Sequence, residues 1–133
     1  PMALTPSVYT DSAYASRFPA LWFLPYMIEA DLTASLPEDQ LTMYRRKYGD
    51  MIAADLQKYE PEIILIGDYR FTESQKSFFN FAKFFGVSRT FSRQWENYDK
   101  TGVIELDARA YYRGYQYGDR RSTKTFTIYE KSP

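Results

Sequence analysis

The chain has 133 residues, enough for one domain with a core of its own. Its 17 basic side chains balance 17 acidic ones, which removes the electrostatic argument for nucleic acid or an anionic membrane as the main partner. With no Cys and no His, thiol nucleophiles, disulfides, Cys/His zinc sites and imidazole catalysis are excluded. A hard-cation site of carboxylates stays open, but no EF-hand-like or P-loop pattern occurs, so no cofactor or metal is expected.

Residues 1–15 are small, polar and proline-punctuated, and read as an extended lead-in to a single α/β domain over 16–133. The sequence opens Pro-Met-Ala and carries no charged n-region followed by an apolar h-region. It is therefore expected to be a piece of a longer protein whose targeting information lies upstream. "SRFPALWFLPYM" (16–27) comes next. Its apolar core is about half the roughly 20 residues that a membrane helix needs, and Pro19 and Pro25 interrupt it. Phe18, Leu21, Trp22 and Leu24 are expected to pack into the core.

A helix is predicted after Ser35-Leu-Pro-Glu38, which fits a capping box with Pro37 in the first turn. Leu41, Tyr44, Tyr48, Ile52, Leu56 and Tyr59 recur at steps of three and four and draw one apolar stripe. Arg45, Asp50 and Asp55 fall off it, and Pro61 ends the helix at or before Glu60. Ile63 to Ile66 is a continuous apolar run, the pattern of a central strand buried on both faces. Thr72-Glu-Ser-Gln75 offers a second capping box, Phe78, Phe81, Ala82 and Phe85 a second helical stripe, and Gly86 its C′ residue.

The last third changes character. Thr90–Tyr98 is β-prone, "NYDKTG" (97–102) is turn chemistry, and Ile104 to Tyr112 alternates as a half-buried strand. Residues 113–122 read as a loop and Lys124–Glu130 as a closing strand with Phe126 and Ile128 on one side. The expected fold class is α/β with an α+β tendency: a sandwich with a small mixed sheet, helices early and antiparallel strands late.

Asp68, Tyr69 and Arg70 follow the apolar strand, and ligands of open α/β sheets bind beyond the carboxyl ends of strands. Asp68 is equally what a turn after a strand would carry. The carboxylate pairs Glu29/Asp31 and Glu105/Asp107 read as solvated surface. Residues 109–124 interleave Arg113, Arg120 and Arg121 with Tyr115 and Tyr117, groups that grip anions and stack on sugars. "RGYQYG" partly matches the aromatic strand of an RNA-recognition domain. Gln116 departs from that pattern, so no nucleic acid is expected.

The order of these features, "SRFPALWFLP" (16–25), "DLQKYEPEIILIGD" (55–68), "FFNFAKFFG" (78–86), "FSRQWENYD" (91–99) and "TFTIYEK" (125–131), resembles a known pattern. It is similar to the extracytoplasmic C-terminal region of bacterial polytopic membrane proteins of the lipid-linked-sugar glycosyltransferase type. The resemblance runs over most of the chain. It implies a non-catalytic accessory domain on the periplasmic side of the inner membrane, packed on the membrane part of its own parent and assisting sugar or lipid-linked sugar binding. The family's sugar-transfer carboxylates and lipid-phosphate contacts lie in membrane-proximal loops without counterpart in these residues, so no catalytic residue is carried over. Phe18, Trp22 and Phe23 take the membrane-proximal position at the front, where Trp and other aromatics favour the interface.

Two other readings stay open. One is a stand-alone small α/β enzyme or ligand-binding protein with its site near Asp68, Tyr69 and Arg70. The other is a protein-interaction module using exposed aromatics. Oligomeric state is not legible.

Overall fold

A computed structural model describes residues 21, 23–67, 80–107 and 123–133. The chain divides into two compact units, a helical one drawn from 1–61 and 80–97 and a β unit drawn from 62–79 and 98–133. The expected α/β class is what is found, helices early and antiparallel strands late, but the described sheet is antiparallel in both pairings rather than mixed. The lead-in over 1–15 lies outside the described residues.

In the helical unit, α1 runs Leu24–Thr33, α2 Glu38–Tyr59, α3 Phe81–Phe85 and α4 Arg89–Trp95. Pro25 falls in the first turn of α1, where its missing N–H costs nothing. That helix closes on Ala34, a left-handed residue whose N–H donates to Ala30 C=O. The capping box expected at Ser35 does not form. Pro37 is the N-cap residue of α2 without a side-chain hydrogen bond, and the Ser35 N–H is already engaged by Ala30 C=O at 3.2 Å. Glu38 and Asp39 stand in the first turn instead, where carboxylates complement the helix dipole. The helix ends as expected at Tyr59, with Glu60 left-handed before Pro61.

The face that α2 buries is rotated from the expected stripe. Leu41, Gly49, Ala53, Asp55 and Leu56 are buried, Tyr44, Tyr48 and Ile52 are half-buried, and Tyr59 is exposed. Phe23 is buried with its ring stacked on Tyr48, centroids 3.9 Å apart and planes at 11°.

Thr90–Tyr98 does not form a strand; it contains most of α4. Two cap residues cut the Phe-rich segment into two short helices. The Asn80 side chain accepts from Lys83 N–H, and Ser88 Oγ accepts from Phe91 N–H at 3.0 Å. Gly86 follows α3 but keeps a right-handed conformation (φ −62°) and leads into the second cap. The two helices face each other through rings: Phe81–Phe91 at 5.9 Å, Phe81–Trp95 at 5.6 Å and Phe85–Phe91 at 5.8 Å. Burying each such side chain contributes about 1.5–3 kcal/mol, and each favourable ring pair adds about 1 kcal/mol. Tertiary packing of this cluster outweighs the β propensity of Thr90, Phe91 and Trp95.

Gly49 lets α2 come down on this pair. A Cβ there would stand 2.9 Å from Ser88 Cβ and 3.3 Å from Phe85 C=O. The helix backbone therefore approaches the α3–α4 turn more closely than any side chain permits.

The β unit holds β1 (Ile63–Gly67), β2 (Tyr98–Asp107) and β3 (Thr123–Lys131) in the order β1-β3-β2, both pairings antiparallel. The central strand is thus β3, and β1 lies at an edge of the described sheet. The turn expected at 97–102 is absorbed by β2. Register passes from Lys100↔Tyr129 to Gly102↔Ile128, so Thr101 is the extra residue of a β-bulge. The turn residues mark that irregularity rather than a chain reversal.

Candidate functional site

Most candidate site residues of the sequence, Asp68, Tyr69, Arg70, Arg113, Tyr115, Tyr117, Arg120 and Arg121, lie outside the described residues, as do Phe18 and Trp22. Phe23 is described, packed on Tyr48 within the helical unit. No described helix is long and apolar enough to cross a membrane, and the described residues hold no group of three or more acidic side chains placed to take a metal ion.

Two polar clusters of the helical unit are built into its packing. Arg45, whose side chain is only 13% exposed, donates to Asp31 of α1, lies 3.5 Å from Glu38 and covers the Phe84 ring at 4.6 Å. It joins α1, α2 and α3, and its buried Nε–H has no hydrogen-bond partner among the described residues. The sequence placed Arg45 off the apolar stripe and Asp31 on the surface, where it is exposed; a charge next to an aromatic stripe is the signal that could have paired them. Ser88 Oγ donates to Asp50 Oδ1 at 2.6 Å while it caps α4, so one hydroxyl ties α2 to the start of α4. Both clusters turn polar groups toward partners of the same unit, and their work is structural.

Among the described residues, one face of the sheet exposes contiguous apolar side chains. Cross-strand partners share a face. The register therefore aligns three rows on this side: Ile63–Glu130–Asp99, Leu65–Ile128–Gly102 and Gly67–Phe126–Ile104. Ile63 is 58% exposed, Leu65 46% and Ile104 37%, with Ile128 and Phe126 half-buried beside them. The result is an apolar strip two rows deep, closed at one end by the exposed carboxylates of Glu130 and Asp99. Ser132 Oγ donates to Asp99 Oδ2 at 2.8 Å and holds that carboxylate in place.

Sequence reasoning missed this face because it read Ile63–Ile66 as buried on both sides. A continuous apolar run looks the same in a central strand and in an edge strand with apolar residues facing solvent. The usable signal was in β3, whose Thr125, Thr127 and Tyr129 alternate with Phe126 and Ile128, as in an antiparallel sheet.

No family model matches the chain, and neither a curated protein nor a solved structure matches it.

Proposed function

We propose that this chain is a non-catalytic accessory domain that works by binding polypeptide, within a larger membrane protein of the lipid-linked-sugar glycosyltransferase type. The observation that carries the binding role is the apolar strip of Leu65, Ile128, Phe126 and Ile104 left facing solvent on the sheet. Exposed contiguous apolar surface on a folded domain marks a contact site more often than chance. The internal engagement of Arg45, Asp31, Asp50 and Ser88 fits the same reading, because these polar groups serve packing. The membrane setting rests on the order of sequence motifs from "SRFPALWFLP" to "TFTIYEK".

The test is made on the parent protein. Its reading frame is expected to encode a multi-helix hydrophobic region ahead of Pro1. Deleting the 133-residue segment is expected to reduce transfer of lipid-linked sugar in membranes without removing the membrane part itself. A parent with no such hydrophobic region, or a deletion with undiminished transfer, would sink the proposal.

A further inference from the structure

The backbone of β1 carries the reading one step further, to the kind of partner and how it is held. Lys131 N–H donates to Glu62 C=O at 3.0 Å, which makes 62 and 131 a hydrogen-bonded pair. Bonded and non-bonded positions alternate in an antiparallel ladder. Ile64, opposite Tyr129, and Ile66, opposite Thr127, therefore spend their backbone groups on β3. The N–H and C=O groups of Ile63, Leu65 and Gly67 point the other way, where no described strand pairs with them. Ile63 and Leu65 also put their side chains on the exposed apolar face, and Gly67 leaves the end of that face open. Among the described residues, the unpaired backbone edge and the apolar strip belong to the same strand.

The two edges of the described sheet are built differently. β2 carries the bulge at Thr101 with Asp99 and Lys100 beside it, features that discourage further strand pairing. The segment Ile63–Gly67, sequence IILIG, has no charge, no proline and no bulge. An unguarded edge of this kind invites a strand.

We propose that the edge of β1 captures an extended polypeptide segment of a partner protein by antiparallel strand addition. This rests on the accessory, polypeptide-binding reading above. The segment carries apolar side chains at alternate positions, opposite Leu65 and Gly67, and a Lys or Arg opposite Ile63. The cation follows from charge complementarity: Glu130 and Asp99 continue the Ile63 row across the sheet. A long basic side chain laid over Ile63 puts its methylenes on apolar surface and its head group at Glu130. A second copy of β1 fits less well, since Ile63–Gly67 offers these carboxylates no cation.

The test titrates the ¹⁵N-labelled 133-residue chain with the end-capped peptide Thr-Val-Thr-Val-Thr-Lys, and with the same peptide ending in Glu. The Lys peptide is expected to shift the amide resonances of Ile63, Leu65 and Gly67 and to slow exchange of the Leu65 N–H. The Glu peptide should bind at least fivefold more weakly. Leu65→Pro removes an outward N–H and part of the apolar strip but no ladder bond to β3, so it should weaken binding at least fivefold while the resonances of β2 and β3 persist. Should that variant lose its sheet, Leu65→Lys decides, because it keeps the N–H but puts a like charge beside the peptide's Lys; the same loss is expected. Binding that ignores both substitutions, or shifts confined to residues outside β1, overturns the proposal. So does a concentration-dependent dimer with protected edge amides in the absence of peptide, which would make a second copy the occupant. Failure here leaves the deletion result on the parent standing, while failure there withdraws the membrane setting and leaves the titration to be read on its own, so the two failures are distinguishable.

Discussion

Gly49→Ala is a substitution for which helix propensity and tertiary contact give opposite signs. Gly49 lies in the middle of the 22-residue α2, where Ala is favoured by about 1 kcal/mol. Against this stands the contact at 2.9 Å between the added Cβ and Ser88 Cβ, with Phe85 C=O at 3.3 Å. Ser88 is buried and is held by the Phe91 N–H and Asp50, so it cannot swing aside without breaking one of those bonds. Overpacking of this kind costs about 1–3 kcal/mol. A displaced Ser88 hydroxyl adds about 1 kcal/mol. Net destabilisation of about 1–3 kcal/mol is expected, measured by urea unfolding followed through the helical circular dichroism signal. The decisive arm is the cycle with Ser88→Gly, which removes the opposing Cβ. On that background Gly49→Ala should be neutral or stabilising by about 0.5 kcal/mol, a coupling well above the roughly 0.5 kcal/mol scatter of independent sites. Stabilisation by Gly49→Ala alone, or an additive cycle, would refute the close-approach argument.

Phe85→Ala should cost about 3–5 kcal/mol, since the ring is fully buried and touches Phe81, Phe84 and Phe91; a thermal melt losing less than half that would mean the cluster is loosely packed. Arg45→Ala is expected to cost about 2 kcal/mol by removing the link between Asp31, Glu38 and the Phe84 ring. Arg45→Lys should restore less than half of it, because an ammonium cannot fork between two carboxylates and stack on a ring; full rescue in denaturant titrations would contradict that geometry. Ser88→Ala should lose about 2 kcal/mol against about 1 kcal/mol for Asn80→Ala, since both are caps but only Ser88 also binds a carboxylate. Equal losses in parallel unfolding curves would remove the Asp50 contribution.

The candidate surface was hidden in the sequence for a physical reason. Ile63 and Leu65 look like core residues because hydrophobicity records what a side chain prefers, and exposure depends on which strands arrive beside it. Strand order is set by pairings across dozens of residues, Ile63 with Glu130 and Ile104 with Phe126, that no local window contains. The carboxylates that close the strip, Glu130 and Asp99, meet across the same ladder.

Where a structural cause is local, the sequence was enough. The apolar periodicity and Pro61 determined the long helix and its end at Tyr59, and short apolar or alternating runs determined β1 and β3. Tertiary structure decided the rest. It made Arg89–Trp95 a helix, because Phe91 and Trp95 find Phe81 and Phe85 only in that conformation. It turned "DKTG" into a bulged strand and rotated α2 so that Gly49, rather than a tyrosine, meets the α3–α4 turn. It moved β1 from the expected centre of the sheet to an edge of the described strands. In each case a contact distant in sequence outweighed a local preference of about 1 kcal/mol or less.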